Sequence, residues 1–521
     1  MTRTTEQLSI TARQAARARD WRRVGACARE LIRRPDASAE GHFLLGLAEK
    51  AARRPRAAVD AFRTACTQDA ARYDAAVEAA AQLVALGRFG EAVHLVRDCE
   101  SRLDRSPRYL QMAATVYLNA GLPANAWPLF RQADALQPGI DALRAGLAEC
   151  SVYVGRIDAA AEIYRELLAR NPGHQRNHYA LSRLQRATDS THLDAMRAIL
   201  ETNGQPDERN IYLLYAIGKE CEDLGRWDEA FDSYSRAGAA AARVAGYDVD
   251  DDVRLVDAII ETCDADWLTA GIAEPGDSRT PVFVTGLPRS GTTLVERVLG
   301  LHSGVESAGE TWFLQQAVRR VSGIESSERM TAAMIPAAAR SQPGRIGEDY
   351  LSNVVYKLDG KPAFIEKFPE NFLYLGFIAR EFPNARIVHV HRHPMDNAFG
   401  LFRQSYFRYA YRLEDLAAFL PAWERLATHW RNVLGDRIVD VRYEDFVTRP
   451  DAEIRRLLAA VGLPFEEACL HVENNLSASN TASAVQVREP MHTRSIGHWR
   501  HFASGLAPLE AHLRAEGVEL D

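Results

Sequence analysis

The sequence has no long apolar run. Nowhere do about 18 or more apolar residues follow one another, which is the length a membrane-crossing helix needs, so no span is expected. It has no excess of one charge either: 63 Lys and Arg stand against 70 Asp and Glu, a formal net charge of -7 over 521 residues. That balance removes any global electrostatic case for nucleic acid or an anionic membrane, and leaves any anion site to a local cluster. Cysteine is scarce. The seven are Cys27, Cys66, Cys99, Cys150, Cys221, Cys263 and Cys469, and no two form a CxxC pair. The pattern fits free, buried thiols in a reducing compartment rather than a disulfide framework or a zinc site. The start, MTRTTEQLSITARQAARARDW, lacks the apolar stretch of a signal peptide. It is basic and poor in acids, as transit peptides are, but reads more simply as the first helix of a helical domain. A cytoplasmic protein is expected.

What is present is an ordinary globular composition, 47% hydrophobic and 26% charged, in a chain long enough for two or three domains. The first part is rich in alanine and arginine and carries a period. Ala58, Ala92, Ala126 and Ala160 recur every 34 residues, as do Gly87, Gly121 and Gly155, and the large apolar set Phe62, Val96, Phe130 and Tyr164. Pro138 and Pro172 close two units. A later unit carries Gly225 and Ala230, two periods and two residues further on, so one irregular unit intervenes near 175–210. Small residues at a fixed step let paired helices approach closely, and each pair then buries its other face against the next. The pattern resembles the tetratricopeptide repeat over about residues 5–244. Such arrays dock peptides or proteins, or serve as structure alone.

Residues 245–280 read as a connecting helix, 251–263, and a loop around Pro275, Gly276, Asp277 and Ser278. At 281 the pattern changes. Strand-like runs PVFVTG (281–286), RIVHVHR (386–392) and RIVDVRYE (437–444) alternate with helical stretches, which predicts a parallel sheet with helices on its faces. Ligands of such sheets sit at the carboxyl ends of the strands, here Gly286, Arg392 and Tyr443.

The most informative stretch is VFVTGLPRSGTTLVERVLG, 282–300. Gly286 and Gly291 have the spacing of a phosphate-binding loop, GxxxxG, leading into a helix. A triphosphatase loop continues with lysine, which reaches the β/γ-phosphates; here the position is Thr292. The loop therefore suits a smaller, metal-free anion held by backbone N–H groups, hydroxyls and Arg289. A glycine turn that merely ends a strand is the bland alternative.

GLPRSGTT after a strand, with GETWF at 309–313, resembles the phosphosulfate loop of sulfotransferases that use 3'-phosphoadenosine-5'-phosphosulfate (PAPS), and most of all their tyrosylprotein branch. The resemblance covers about residues 281–502. It implies an α/β P-loop-like sulfotransferase domain with a central parallel sheet, over 281–521, behind an all-α repeat solenoid. It implies that Ser290, Gly291, Thr292 and Thr293 cradle the 5'-phosphosulfate and that Arg289 contacts the sulfuryl group. Glu310 matches the general base, and Lys367 matches a lysine stabilising charge on the transferring group. Arg392 matches the arginine gripping the 3'-phosphate, and Ser483 a serine closing over the donor. Tyr443 falls in a motif of the superfamily. The product would be adenosine 3',5'-bisphosphate, with no metal needed, and the acceptor a hydroxyl, on a protein or peptide docked by the repeats or on a small molecule. Two positions depart from the family. Gly400 stands where a serine usually contacts the 3'-phosphate, and His498 stands at a basic position before tryptophan, charged only when protonated.

Other readings compete. A nucleotide kinase or triphosphatase with an altered loop would need a magnesium-binding acid, and Lys367 would have to replace the loop lysine. A non-catalytic scaffold would have lost transfer altogether. Glu310 could be an acid at a helix N-terminus, and Lys367 and Arg392 surface charges, although Phe364, Ile365 and Phe368 favour a partly buried Lys367. His389, His391 and His393 alternate and could share one face, but no carboxylate or cysteine joins them at ligand spacing. The run RQSYFRYAYRLED, 403–415, reads as a solvated helix or loop or, alternatively, as the lining of an acceptor groove.

Overall fold

The computed structural model describes residues 4–520 apart from 104, 275–278, 327–329 and 482; the loop expected at Pro275–Ser278 lies outside the described residues. The chain forms two compact units, Met1–Val154 and Gly155–Asp521.

The first unit is built of helical hairpins such as Ser38–Ala51 with Pro55–Gln68 and Pro107–Asn119 with Pro123–Leu136. Proline opens several of these helices at the first position, where its missing N–H is no loss. The 34-residue step has a physical basis in the packing. Ala58, Ala92 and Ala126 are fully buried. Gly46 makes room for an aromatic ring: a Cβ there would lie 2.5 Å from Phe62. Gly87 and Gly121 turn the chain with φ of 71° and 70°, which costs glycine little.

The second unit begins with further helices. Among them Gln175–Ser182 is short and is followed by Thr191–Thr202, the irregular stretch of the repeat. Then come α1 (Ile211–Asp223) and α2 (Trp227–Ala245). They repeat the earlier device, since a Cβ on Gly218 would lie 2.6 Å from the Tyr234 ring. The connecting helix spans Val249–Thr262.

The rest is a five-stranded sheet in the order β2-β3-β1-β4-β5, made of β1 (Thr280–Gly286), β2 (Val305–Gly309), β3 (Ala363–Lys367), β4 (Arg386–His391) and β5 (Ile438–Arg442). Every pair is parallel. Helix α3 (Thr292–Leu299) follows β1, α4 (Phe313–Ser322) follows β2, and α5 (Pro394–Phe402) follows β4. With helices over the sheet, the strands read as continuous apolar runs. Val282, Val284, Ile365, Val388 and Val390 form the core with Val295, Val298 and Val441, each such side chain contributing about 1.5–3 kcal/mol by leaving water. β1, β4 and β5 fall where the sequence placed strands. β2 and β3 are short and carry Glu306, Glu366 and Lys367 inward, which masks their strand character.

The cysteines are free, and all but the half-buried Cys66 are buried. The 403–415 run is solvated only in part: Tyr406, Arg408, Arg412 and Glu414 are exposed. Other members pack inward: Tyr409 stacks on Phe419 at 4.1 Å, Ser405 Oγ donates to Tyr179 Oη at 3.0 Å, and Arg403 pairs with Glu222 of α1.

Candidate functional site

The carboxyl ends of the strands bring together residues far apart in the chain. β1 runs into the loop Leu287–Gly291. A side chain fits at neither of its glycines. A Cβ on Gly286 (φ 147°) would stand 2.1 Å from the Val390 carbonyl, and one on Gly291 (φ 109°) would stand 2.6 Å from the Tyr443 ring. Arg289 adopts φ 70°, a left-handed conformation rare outside glycine. The surroundings hold it there. Asn397 Nδ2 donates to the Pro288 carbonyl at 2.7 Å, and Arg392 Nη1 donates to the Arg289 carbonyl at 3.3 Å. Gly291 begins α3 with no capping side chain; the Leu294 N–H bonds back to the Gly291 carbonyl at 2.9 Å, and a helix N-terminus without a capping side chain is a place where an anion can satisfy the first amides.

Lys367 ends β3 and is fully buried. Its Nζ donates to Glu310, one residue beyond β2, and to Thr293 Oγ1 at 3.2 Å. Glu296 Oε2 lies 3.8 Å away. Burial raises the pKa of the Glu310 carboxyl above the usual carboxylate value, and the Lys367 cation opposes that rise. Arg289 donates to Ser483 Oγ at 2.5 Å and to Gln486 Oε1 at 2.9 Å. Its pKa is pushed down to about 10, by burial first, with Arg403, Arg183 and Arg392 adding repulsion.

Arg392 follows β4. Its guanidinium lies 4.8 Å above the Tyr443 ring, Nη2 donates to the Ser495 carbonyl and lies 3.9 Å from Asp396 Oδ2, and the buried Nε has no hydrogen-bond partner among the described residues. The buried Ser290 Oγ likewise has none among them. A Cβ on Gly400 would lie 3.2 Å from Arg289 Cβ, so the absent serine leaves room for Arg289. His498 bonds Glu222 Oε1 at 3.0 Å.

Arg289, Gly291, Thr292, Thr293, Arg392, Gly400, Tyr443 and Ser483 line one cavity of about 680 Å³. Its opposite wall includes Arg183, Lys219, Glu222 and Trp227. Glu310, Lys367 and Ser290 are not among its lining residues; Lys367 reaches the cavity wall through Thr293, and the Glu310 side chain keeps 27% of its surface exposed.

The sequence reading missed four acidic or basic groups. Glu296, one turn into α3, accepts from Ser307 Oγ at 2.7 Å. Glu366, fully buried, accepts from Thr311 Oγ1 at 2.6 Å and Asn371 Nδ2 at 2.8 Å, tying down the residue after Glu310. Burial raises its pKa to about 7. Glu222 and Arg403 complete the set. The adjacent Thr311 and Lys367 were the available signals for Glu366; nothing local in sequence marks Glu222. The three histidines do not share a face. His389 pairs with Asp440 at 2.8 Å, His391 lies beside it at 5.9 Å between ring centroids, and His393 caps α5.

Residues 281–467 match the model of the sulfotransferase family. A protein of Aquifex aeolicus (strain VF5), described as uncharacterized, is 25% identical over 413 residues, 77% of this chain and 54% of that one. Protein-tyrosine sulfotransferase A of Caenorhabditis elegans is 23% identical over 248 residues, 44% of this chain and 64% of that one. The matches thus span between about half and two thirds of these relatives' lengths. Among solved structures, the sulfotransferase domain from the Synechococcus PCC 7002 olefin synthase aligns with a TM-score of 0.32 and 21% identity, over 44% of this chain and 90% of that one.

Proposed function

We propose that this chain, whose residues 281–467 form a sulfotransferase-family domain, moves the sulfuryl group of PAPS to an acceptor hydroxyl. One observation carries the reading. Thr293 lines the cavity with Arg289 and Arg392 and also accepts from the buried Lys367, which pairs with the partly exposed Glu310, so a donor site and an acid–base pair flank one loop.

The residues present fit the donor. Its two anionic groups need fixed donors, and Ser290 Oγ and Arg392 Nε are buried polar atoms with no hydrogen-bond partner among the described residues, a costly state unless a ligand satisfies them. The loop amides, Ser290, Thr292 and Thr293 would hold the 5'-phosphosulfate, Arg392 and Tyr443 the 3'-phosphate, and Ser483 would close through Arg289. When bound, PAPS supplies an activated sulfuryl group on a stable phosphate leaving group.

Glu310 takes the proton of the acceptor hydroxyl. Its raised pKa makes it a stronger base than an ordinary carboxylate. Arg289 and Lys367 present fixed positive charge to the transferring group, in a site where they need not reorganise. No residue here calls for a metal in that scheme. The relatives named as protein-tyrosine sulfotransferases make a tyrosine hydroxyl on a peptide the first acceptor class to test.

The test is transfer from labelled PAPS to tyrosine peptides, polysaccharide and small phenols. Glu310→Ala should abolish transfer while adenosine 3',5'-bisphosphate still binds. A variant as active as the parent would refute the base, and a parent protein that binds no PAPS would refute the donor.

A further inference from the structure

Part of the cavity lining comes not from the sheet domain but from α1, α2 and the residues just before them, Glu222 among them. The Glu222 side chain is 10% exposed, and both carboxylate oxygens are engaged. Oε2 accepts from Tyr234 Oη at 2.8 Å. Oε1 accepts from Arg403 Nη1 and bonds His498 Nε2 at 3.0 Å. Burial alone would raise its pKa, but Arg403 and His498 outweigh burial and hold it at about 2. Glu222 is therefore an anion at neutral pH.

The two basic partners reach it from separate elements. Arg403 is the C-cap of α5. His498 lies in a segment fastened on its other side by Asp396, which accepts from the backbone N–H of Gly497 at 2.6 Å and of Trp499 at 3.0 Å. Arg392 donates to the same segment at the Ser495 carbonyl. Arg403 pairs with Glu222 and Arg392 has Asp396 Oδ2 at 3.9 Å, yet among the described residues each keeps a buried Nε with no hydrogen-bond partner, and both line the cavity with Gly400. An anionic group entering the cavity beside them would fill those N–H groups. The loop accounts for one anionic group of the donor, which leaves the other for this part of the cavity.

We propose that Glu222 is a positioning residue of the donor site, holding Arg403, and with it His498, against the 3'-phosphate, where Arg403 supplies the contact that Gly400 lacks. The inference rests on the PAPS reading. It makes the last helical hairpin part of a small-molecule site rather than only a docking surface.

The experiment is calorimetric titration of the full chain with adenosine 3',5'-bisphosphate and with adenosine 5'-phosphosulfate, which has no 3'-phosphate. Glu222→Gln should weaken the bisphosphate about tenfold or more, as loss of a charge-assisted contact does, and the phosphosulfate less than about twofold. Arg403→Ala should show the same selectivity, and the double variant should be no weaker than Arg403→Ala alone. Because an uncharged amide beside Arg403 can loosen the fold, Glu222→Asp is the second variant. It keeps the charge, shortens the reach, and should weaken the bisphosphate selectively. A purely structural role predicts equal loss for both nucleotides, and that result, or unchanged binding, overturns the proposal. Wild-type protein that binds neither nucleotide overturns the donor reading and this inference together, an outcome distinct from unchanged binding in the variants.

Discussion

At the scale of single residues, the site keeps its acids in different states by environment. Glu310 bonds a cation, Lys367, whereas Glu366, a residue away from Lys367 in sequence, bonds the neutral donors Thr311 and Asn371, and burial outweighs them and the Lys357 charge. Its folded pKa of about 7 lies above the ordinary carboxylate value of about 4.3. Between these values the folded state binds the extra proton, so stability must fall as pH rises from about 4.3 to about 7. Glu366→Gln, close in shape and unable to ionise, should flatten that decline, which for a fully buried acid is of order 3 kcal/mol. Denaturant unfolding at pH 4.5, 6 and 8 checks it; parallel pH profiles for the two proteins would sink the idea. Residue type made Arg289, Lys367 and Arg392 readable in the sequence, because each stands in a recognisable local context. Glu222 and Arg403 escaped because their meaning lies in a pairing across 181 residues, which no local pattern encodes. The inward part of the 403–415 run was hidden for a related reason: Arg403 and Ser405 meet Glu222 and Tyr179, in helices that precede the sheet.

At the scale of elements, the loop after β1 depends on three positive-φ residues, Gly286, Arg289 and Gly291, and on two close approaches, to the Val390 carbonyl and the Tyr443 ring. Gly291→Ala meets both a left-handed φ of 109° and the Tyr443 ring at 2.6 Å. Gly360 shares a positive φ, 93°, but has nothing within 4 Å of a built Cβ. Comparing alanine at the two sites therefore separates strain from collision. Gly360→Ala should cost about 1 kcal/mol, and Gly291→Ala distinctly more, with loss of nucleotide binding only at 291. Equal melting shifts and intact binding at 291 would mean that Tyr443 moves aside freely. Strand legibility follows the same logic. RIVHVHR and PVFVTG display their β-branched runs, while VESAG and AFIEK bring charges inside and lose the signature. The strand that ends at Lys367 is thus among those hard to read as a strand.

At the scale of the molecule, the repeat pattern and the sheet share the second compact unit. Phe231 of α2 packs on Phe402 at 5.6 Å and Tyr234 on Phe399 at 6.4 Å, and the Trp227 ring stacks on His501 at 4.2 Å. The helix backbone itself comes close, since a Cβ on Gly238 would lie 2.0 Å from the Tyr411 carbonyl. A chain shortened to residues 246–521 should therefore expose an aromatic face, aggregate, and lose adenosine bisphosphate binding. A monodisperse product on size exclusion with full affinity would show that these helices are dispensable.

The order of the strands also has a consequence during synthesis. β1 is the centre of the sheet, yet it is the first strand made, and its partners begin only at Ala363 and Arg386. At about 5–20 residues per second, the roughly eighty residues between Gly286 and Ala363 take on the order of 4–16 s to appear. Through that interval the nascent chain carries an apolar strand with both edges open, the kind of segment that pairs with whatever strand it meets. The helical hairpins ahead of it can close as they emerge, on neighbours a few residues away. The emerging β1 is thus where a ribosome-bound chaperone has most to protect.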